Sequence, residues 1–152
     1  MKIFQEFVDS GLIKEEKIDF ALTKKVVEKS RRNIKSSLLL FDDGDAEGSY
    51  ELAYEAMLLA GRALVFSFDF RPRATGSHKI VVDFVKKVLD NDSDKLVFKF
   101  DKMRKNRHYL IYGAGLSISE TEAKNAISSA KTLLEEIENI IEKKNPQGKL
   151  KI

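Results

Sequence analysis

The chain has 152 residues, with 27 Lys and Arg against 24 Asp and Glu, which is the size of one ordinary domain. It contains no Cys, which excludes a disulfide framework, a cysteine-ligated zinc site and a thiol nucleophile, and leaves His78 and His108 as the only imidazoles. The net charge of +3 is too small to demand nucleic acid yet permits a local basic patch, while 43% hydrophobic and 34% charged residues fit a folded domain and argue against disorder.

Gly and Pro are scarce and clustered, and between the clusters apolar residues recur at three and four, the helical period. Residues 3–8 read as a short amphipathic piece stopped by Ser10 and Gly11, so that 1–17 forms an accessory N-terminal element. A helix is predicted over 18–41, with Leu22, Val26, Val27, Ile34, Leu38 and Phe41 on its inner side. Asp42, Asp43, Gly44, Asp45 and Gly48 form the connection to a helix over 49–70 that is apolar on nearly every face and is expected to be the central one. Its small residues Ala53, Ala56, Ala60 and Gly61 let neighbouring helices approach closely, and Glu55 and Arg62 share one of its faces.

Pro72 and Gly76 break that helix, leaving Arg71 and Arg73 in a solvated loop. A shorter helix over 77–89 buries Ile80, Val81, Phe84, Val85 and Val88, and Asp92 and Ser93 offer caps for a fifth helix over 94–112. The last helix is announced by Ser119 and Glu122 at capping-box spacing and by the stripe Ala123, Ala126, Ile127, Ala130, Leu133, Leu134, Ile137, Ile140 and Ile141. Residues 145–152 make a basic tail. The whole reads as one all-α domain over 1–152, an antiparallel bundle of about five helices. Apolar runs fall far short of the roughly 20 residues of a membrane span, and Glu6 and Asp9 interrupt any leader, so a cytoplasmic protein is expected.

Asp43, Asp45, Glu47 and Gly48 imitate the start of a calcium loop, but the twelfth position, where a bidentate Glu belongs, is Tyr54; a solvated acidic turn is the better reading. Gly113 and Gly115 supply half a dinucleotide fingerprint and follow a helix where the motif needs a strand. Neither a metal nor a cofactor is expected.

The strongest signal is Lys102, Arg104, Lys105, Arg107, His108, Tyr109 and Tyr112 on the later half of the fifth helix. Arg104, His108 and Tyr112 stand at intervals of four, with Arg107 beside them, which gathers two guanidiniums, an imidazole and a phenol on one surface. Arg presents a planar fork of donors suited to phosphate, and a His near its reference pKa of about 6.5 gives or takes a proton at neutral pH. The plainer alternative is that these cations complement the helix dipole in solvent. Against it, Arg107 occupies a core position in the series Phe100, Met103, Arg107, Ile111, and an inward Arg needs a partner. His78, just after Gly76 at a helix start, reads as a capping or core residue or as a further binding group.

At these residues the chain resembles the HEPN domain family of compact helical bundles found in prokaryotic toxin–antitoxin and defence systems. Tyr50, Glu51, Ala53, Tyr54, Ala56, Leu59, Arg62, Ala63 and Leu64 resemble that family's long central helix, and Phe70, Arg71, Pro72, Gly76 and His78 the turn and His that follow. Arg104, Arg107 and Tyr112, then Ile118, Ser119, Glu122, Ala123, Ile127 and Ala130, resemble its motif helix, loop and last helix. In active members an Arg precedes a His after about four to six positions, and two such motifs meet across a homodimer. The resemblance implies metal-independent RNA cleavage by attack of the 2′-hydroxyl on the adjacent phosphate, with Arg stabilising the phosphorane charge and His moving the proton. Arg107 matches the motif Arg and His108 the position after it; Tyr112 stands where the closing His belongs, as in one branch of the family.

A phenol with a reference pKa near 10 is a poor general base, although it still binds phosphate. Three functional classes follow. The favoured one is a binding module for RNA or a nucleotide using Arg104, Lys105, Arg107, Tyr112 and His78, in a toxin–antitoxin or stress system. The second is an active ribonuclease using Arg107, His108 and Tyr112, and the third a non-catalytic protein-interaction partner. A homodimer is expected in each, with a nucleotidyltransferase-type protein as a possible partner and no membrane association.

Overall fold

A computed structural model describes residues 2–73, 77–111 and 117–144. After a 3-10 turn at Lys2–Phe4 come α1 (Gln5–Asp9), β1 (Ile13–Glu15), α2 (Phe20–Asp42), α3 (Ala46–Ser67), β2 (Phe70–Pro72), α4 (Ser77–Val88), α5 (Asp94–Ile111) and α6 (Glu120–Lys144). The all-α reading is thus correct in class. Among the described residues it omits a two-stranded antiparallel ribbon that pairs Ile13 with Pro72, Lys14 with Arg71 and Glu15 with Phe70. Tyr112, Gly113, Gly115 and the tail at 145–152 lie outside the described residues.

The central position of α3 follows from its composition. Fourteen of its residues are buried, among them Ala53, Ala56, Ala60, Gly61 and Ala63, and α2, α6, α4 and α5 all pack against it. Small side chains bring the neighbouring axes close. On the α2 side the buried line is Thr23, Val27, Ser30, Ile34 and Ser37, whereas Leu22, expected inside, is exposed. Serine fits that seam because a short hydroxyl both permits close approach and finds an acceptor: Ser30 donates to the Ala56 carbonyl at 2.7 Å and Ser37 to the Ser49 carbonyl at 2.6 Å. The Asp45 carboxylate caps α3 by accepting from the Gly48 N–H at 2.8 Å.

The N-terminal segment is more than an accessory. Phe4 is fully buried, its ring stacked on Phe84 at 4.3 Å and edge-on to Phe68 and Phe70, and Ile13 is buried beside it. The ribbon is held by Asp69, a non-glycine residue at φ 62° whose backbone carbonyl accepts from Glu16 N–H and whose carboxylate accepts from Ile18 N–H. Arg71 is therefore no loop residue: it pairs with Glu16 and lies over the Phe66 ring.

The termini of the last two helices separate two kinds of polar residue. Ser119 and Glu122 form the expected capping box, Glu122 N–H donating to Ser119 Oγ at 3.1 Å and Ser119 N–H to Glu122 Oε1 at 3.2 Å. Ser93, expected to cap α5, instead lies in a 3-10 turn and donates to the Glu136 carboxylate on α6 at 3.1 Å, tying the two helices. Among the described residues no helix is long and apolar enough to cross a membrane.

Candidate nucleic-acid interface

The inner face of α5 carries Val97, Phe100, Met103 and Leu110, all buried. Arg107 continues that line, as its place in the apolar series requires, and its guanidinium lies over the Tyr54 ring at 5.8 Å from the centroid. Tyr54 is a fully buried residue of α3. Its hydroxyl is 2.9 Å from Nδ1 of His78, which sits in the first turn of α4. Three helices thus bring together a cation, a phenol and an imidazole that the sequence separates widely.

One turn earlier on α3, the Tyr50 hydroxyl accepts from the Asn106 side-chain amide of α5 at 3.0 Å. The two tyrosines are buried beneath a half-buried cluster of polar side chains, here called the recess. Arg62, Arg104, Arg107, His78, Glu55 and Asn106 are all intermediate in exposure around it.

The electrostatics are one-sided. Burial, then the charges of Arg107 and Arg62, push the His78 pKa down, with Glu55 opposing and Arg104 adding weakly. Burial also pushes the Tyr54 phenol well up, more than the nearby arginines lower it, and burial raises Tyr50 likewise. At neutral pH the two phenols are therefore uncharged and the imidazole neutral, with the charges of Arg62, Arg104 and Arg107 opposed by Glu55 at Tyr54 and His78, and Glu122 acting on Tyr50. Arg104 spends its charge in part on Asp101, donating to it at 2.9 Å. Burial alone would raise the Asp101 pKa, but the hydrogen bonds and charges of Arg104 and Lys105 outweigh it and hold it low. Among the described residues no carboxylate lies within ion-pairing distance of Arg107 or Arg62.

The structure divides the residues singled out in the sequence. Arg107, Arg104 and His78 share the recess with Tyr54, and His78 bonds a side chain where a capping role was one expectation. Lys105 and His108 are exposed, Lys105 at 3.5 Å from Asp101 and His108 edge-on to the Tyr109 ring. Tyr112 lies outside the described residues. The residues missed as site groups are Tyr54, Tyr50, Asn106 and Arg62. The available signal was two tyrosines four apart on an otherwise apolar helix, since a phenol placed in a core must find a partner for its hydroxyl.

Fold and site define an all-α domain with a cationic cluster where its central helix meets two neighbours. The HEPN domain model matches residues 23–140, most of the chain, and the chain belongs to the HEPN domain family, whose members are nucleotide-binding or ribonuclease-like helical modules. No curated protein matches the chain significantly.

Proposed function

We propose that this protein is a binding module for RNA or a nucleotide, working as a homodimer in a toxin–antitoxin or stress system. The observation that supports this reading is the Arg107 guanidinium held over Tyr54, beside Arg62 and Arg104, with no carboxylate within ion-pairing distance of it among the described residues. Half-buried guanidiniums favour an anion, and a phosphodiester supplies oxygens in the planar arrangement that Arg donors match. Neutral His78, held in place by the buried Tyr54 hydroxyl, adds a hydrogen-bonding group without cancelling the charge. Tyr112 is a further binding group in this proposal, and Lys105 adds charge from outside the recess, on the outer face of α5.

The ribonuclease reading draws support from the protonation state of His78, which is neutral, as a general base must be, and adjacent to Arg107. In that reaction the 2′-hydroxyl oxygen bonds to phosphorus, an imidazole takes its proton, and the 5′-oxygen leaves with a proton, giving a 2′,3′-cyclic phosphate. His108 and Tyr112 remain the alternative acid/base groups.

Filter binding of labelled tRNA and mRNA in chelator, over a range of salt, tests both readings. Affinity should fall as salt rises, because phosphate contacts release counterions, and Arg107→Ala should bind at least about tenfold more weakly. A flat salt response, or full affinity in Arg107→Ala, refutes the binding proposal. Cleavage to cyclic-phosphate ends by wild type and not by Arg107→Ala would favour the ribonuclease reading.

A further inference from the structure

The outer face of α5 plays no part in the recess, yet it carries the largest exposed ring of the described residues. Phe98 is 70% exposed and Tyr109 50%. They stand eleven residues apart, three helical turns, so they lie on the same side of the helix, about 16 Å apart along its axis. Lys102 and Lys105 lie between them on that side, with Lys95 and Lys99 flanking, and all four are exposed. Arg107, by the same geometry, points to the opposite side. The stripe is therefore a surface distinct from that site.

We propose that this stripe is a track for single-stranded RNA, with bases stacking on Phe98 and Tyr109 and the intervening phosphates on Lys102 and Lys105. The inference rests on the nucleic-acid reading given above and extends it to a second face. Two independent features carry it. Exposed aromatic rings cost hydration free energy, which a flat, sequence-tolerant partner such as a nucleobase recovers by stacking. The second feature is charge: α5 holds six Lys and Arg against two Asp, a larger positive excess than the +3 of the whole chain. One of the two, Asp101, is already engaged by Arg104 and Lys105. A second copy of this chain packed symmetrically on the stripe would set lysine against lysine, whereas a phosphate backbone is complementary. The His108 ring, edge-on to Tyr109, steadies the platform at that end of the stripe. Duplex RNA buries its base faces, so the stripe should favour single strands.

The test is equilibrium binding of an oligouridylate about twelve nucleotides long, and of the same length as duplex, to wild type, Phe98→Ala, Tyr109→Ala and Lys102→Ala. Each aromatic variant should lose roughly tenfold in single-strand affinity with an unchanged salt slope, because it removes a stack and no ion. Lys102→Ala should lower the slope of log K against log salt by about 0.7. The chain has no Trp, so Phe98→Trp introduces a unique reporter, and its fluorescence should be quenched by the single strand and not by the duplex.

Wild-type affinity in both aromatic variants, with weakened binding in Arg107→Ala, overturns the track and leaves the Arg107 reading intact. Loss of the dimer in sedimentation of Phe98→Ala, with RNA affinity kept, would make the stripe a contact between copies instead. Failure of wild type to bind any RNA removes both proposals.

Discussion

Replacing Gly61 by Ala tests the packing that brings α4, and with it His78, against α3. In a solvated helix the change stabilises by about 0.8–1 kcal/mol, since Ala is the better helix former. Here the added Cβ would sit well inside van der Waals contact with Val81 Cγ1, 3.2 Å from Val85 Cγ2 and 3.8 Å from Phe100 Cε2. Val81 and Val85 are fully buried and β-branched, so neither can rotate away cheaply. Overpacking of this kind costs about 1–3 kcal/mol, which outweighs the propensity gain and leaves a net loss of about 1 kcal/mol. With a urea m-value of about 2 kcal/mol/M, the midpoint should fall by about 0.5 M. A double-mutant cycle sharpens the test: Val81→Ala should cost less in the Gly61→Ala background, by about 1 kcal/mol, because it makes room for the new methyl. A Gly61→Ala protein as stable as wild type, or more so, would refute the close approach of α3 and α4.

Ser119→Ala removes the hydroxyl that accepts from Glu122 N–H and should cost about 1 kcal/mol in urea unfolding; no measurable loss would mean that the α6 terminus is satisfied by other means. Stability should also depend on pH through His78. Its pKa is lowered in the folded state by burial and by Arg107 and Arg62, so the unfolded chain binds the proton more tightly. That contribution is fully present above the unfolded value of about 6.5 and is lost as pH falls through the folded value. Urea midpoints should therefore drop on acidification below about pH 6.5, and His78→Gln should lessen the drop; an unchanged profile in that variant would contradict the assignment.

Helix positions were legible because apolar periodicity and local capping chemistry decide them. The α6 capping box involves four consecutive residues, and it stands as the sequence implied. The buried side of α2 was misread at Leu22 because hydropathy ranks Ser30 and Ser37 as surface residues, whereas the narrow seam beside Ala56 and Ser49 selects side-chain size and a hydroxyl donor. The ribbon of β1 and β2 was out of reach, since a three-residue strand has almost no periodicity and its partner lies far along the chain. Within the recess, Arg107 could be found from its place after Phe100 and Met103 and before Ile111 in an apolar series, a local pattern. The Tyr54–His78 pair could not, because only the packing of α4 on α3 creates it.

The two buried tyrosines connect stability to the site. A phenol in the core must satisfy its hydroxyl, and each does so on a different neighbour, Tyr54 on His78 of α4 and Tyr50 on Asn106 of α5. These two bonds set the height of both helices along α3, at the level where Arg62, Arg104 and Arg107 gather. Had a carboxylate stood in place of either phenol, it would have neutralised one of those cations internally. A phenol held protonated by burial cannot, and its ring face attracts the Arg107 guanidinium without cancelling its charge. The same residues that align the helices therefore keep the recess positive, and the proposed binding of an anionic ligand rests on that positive charge.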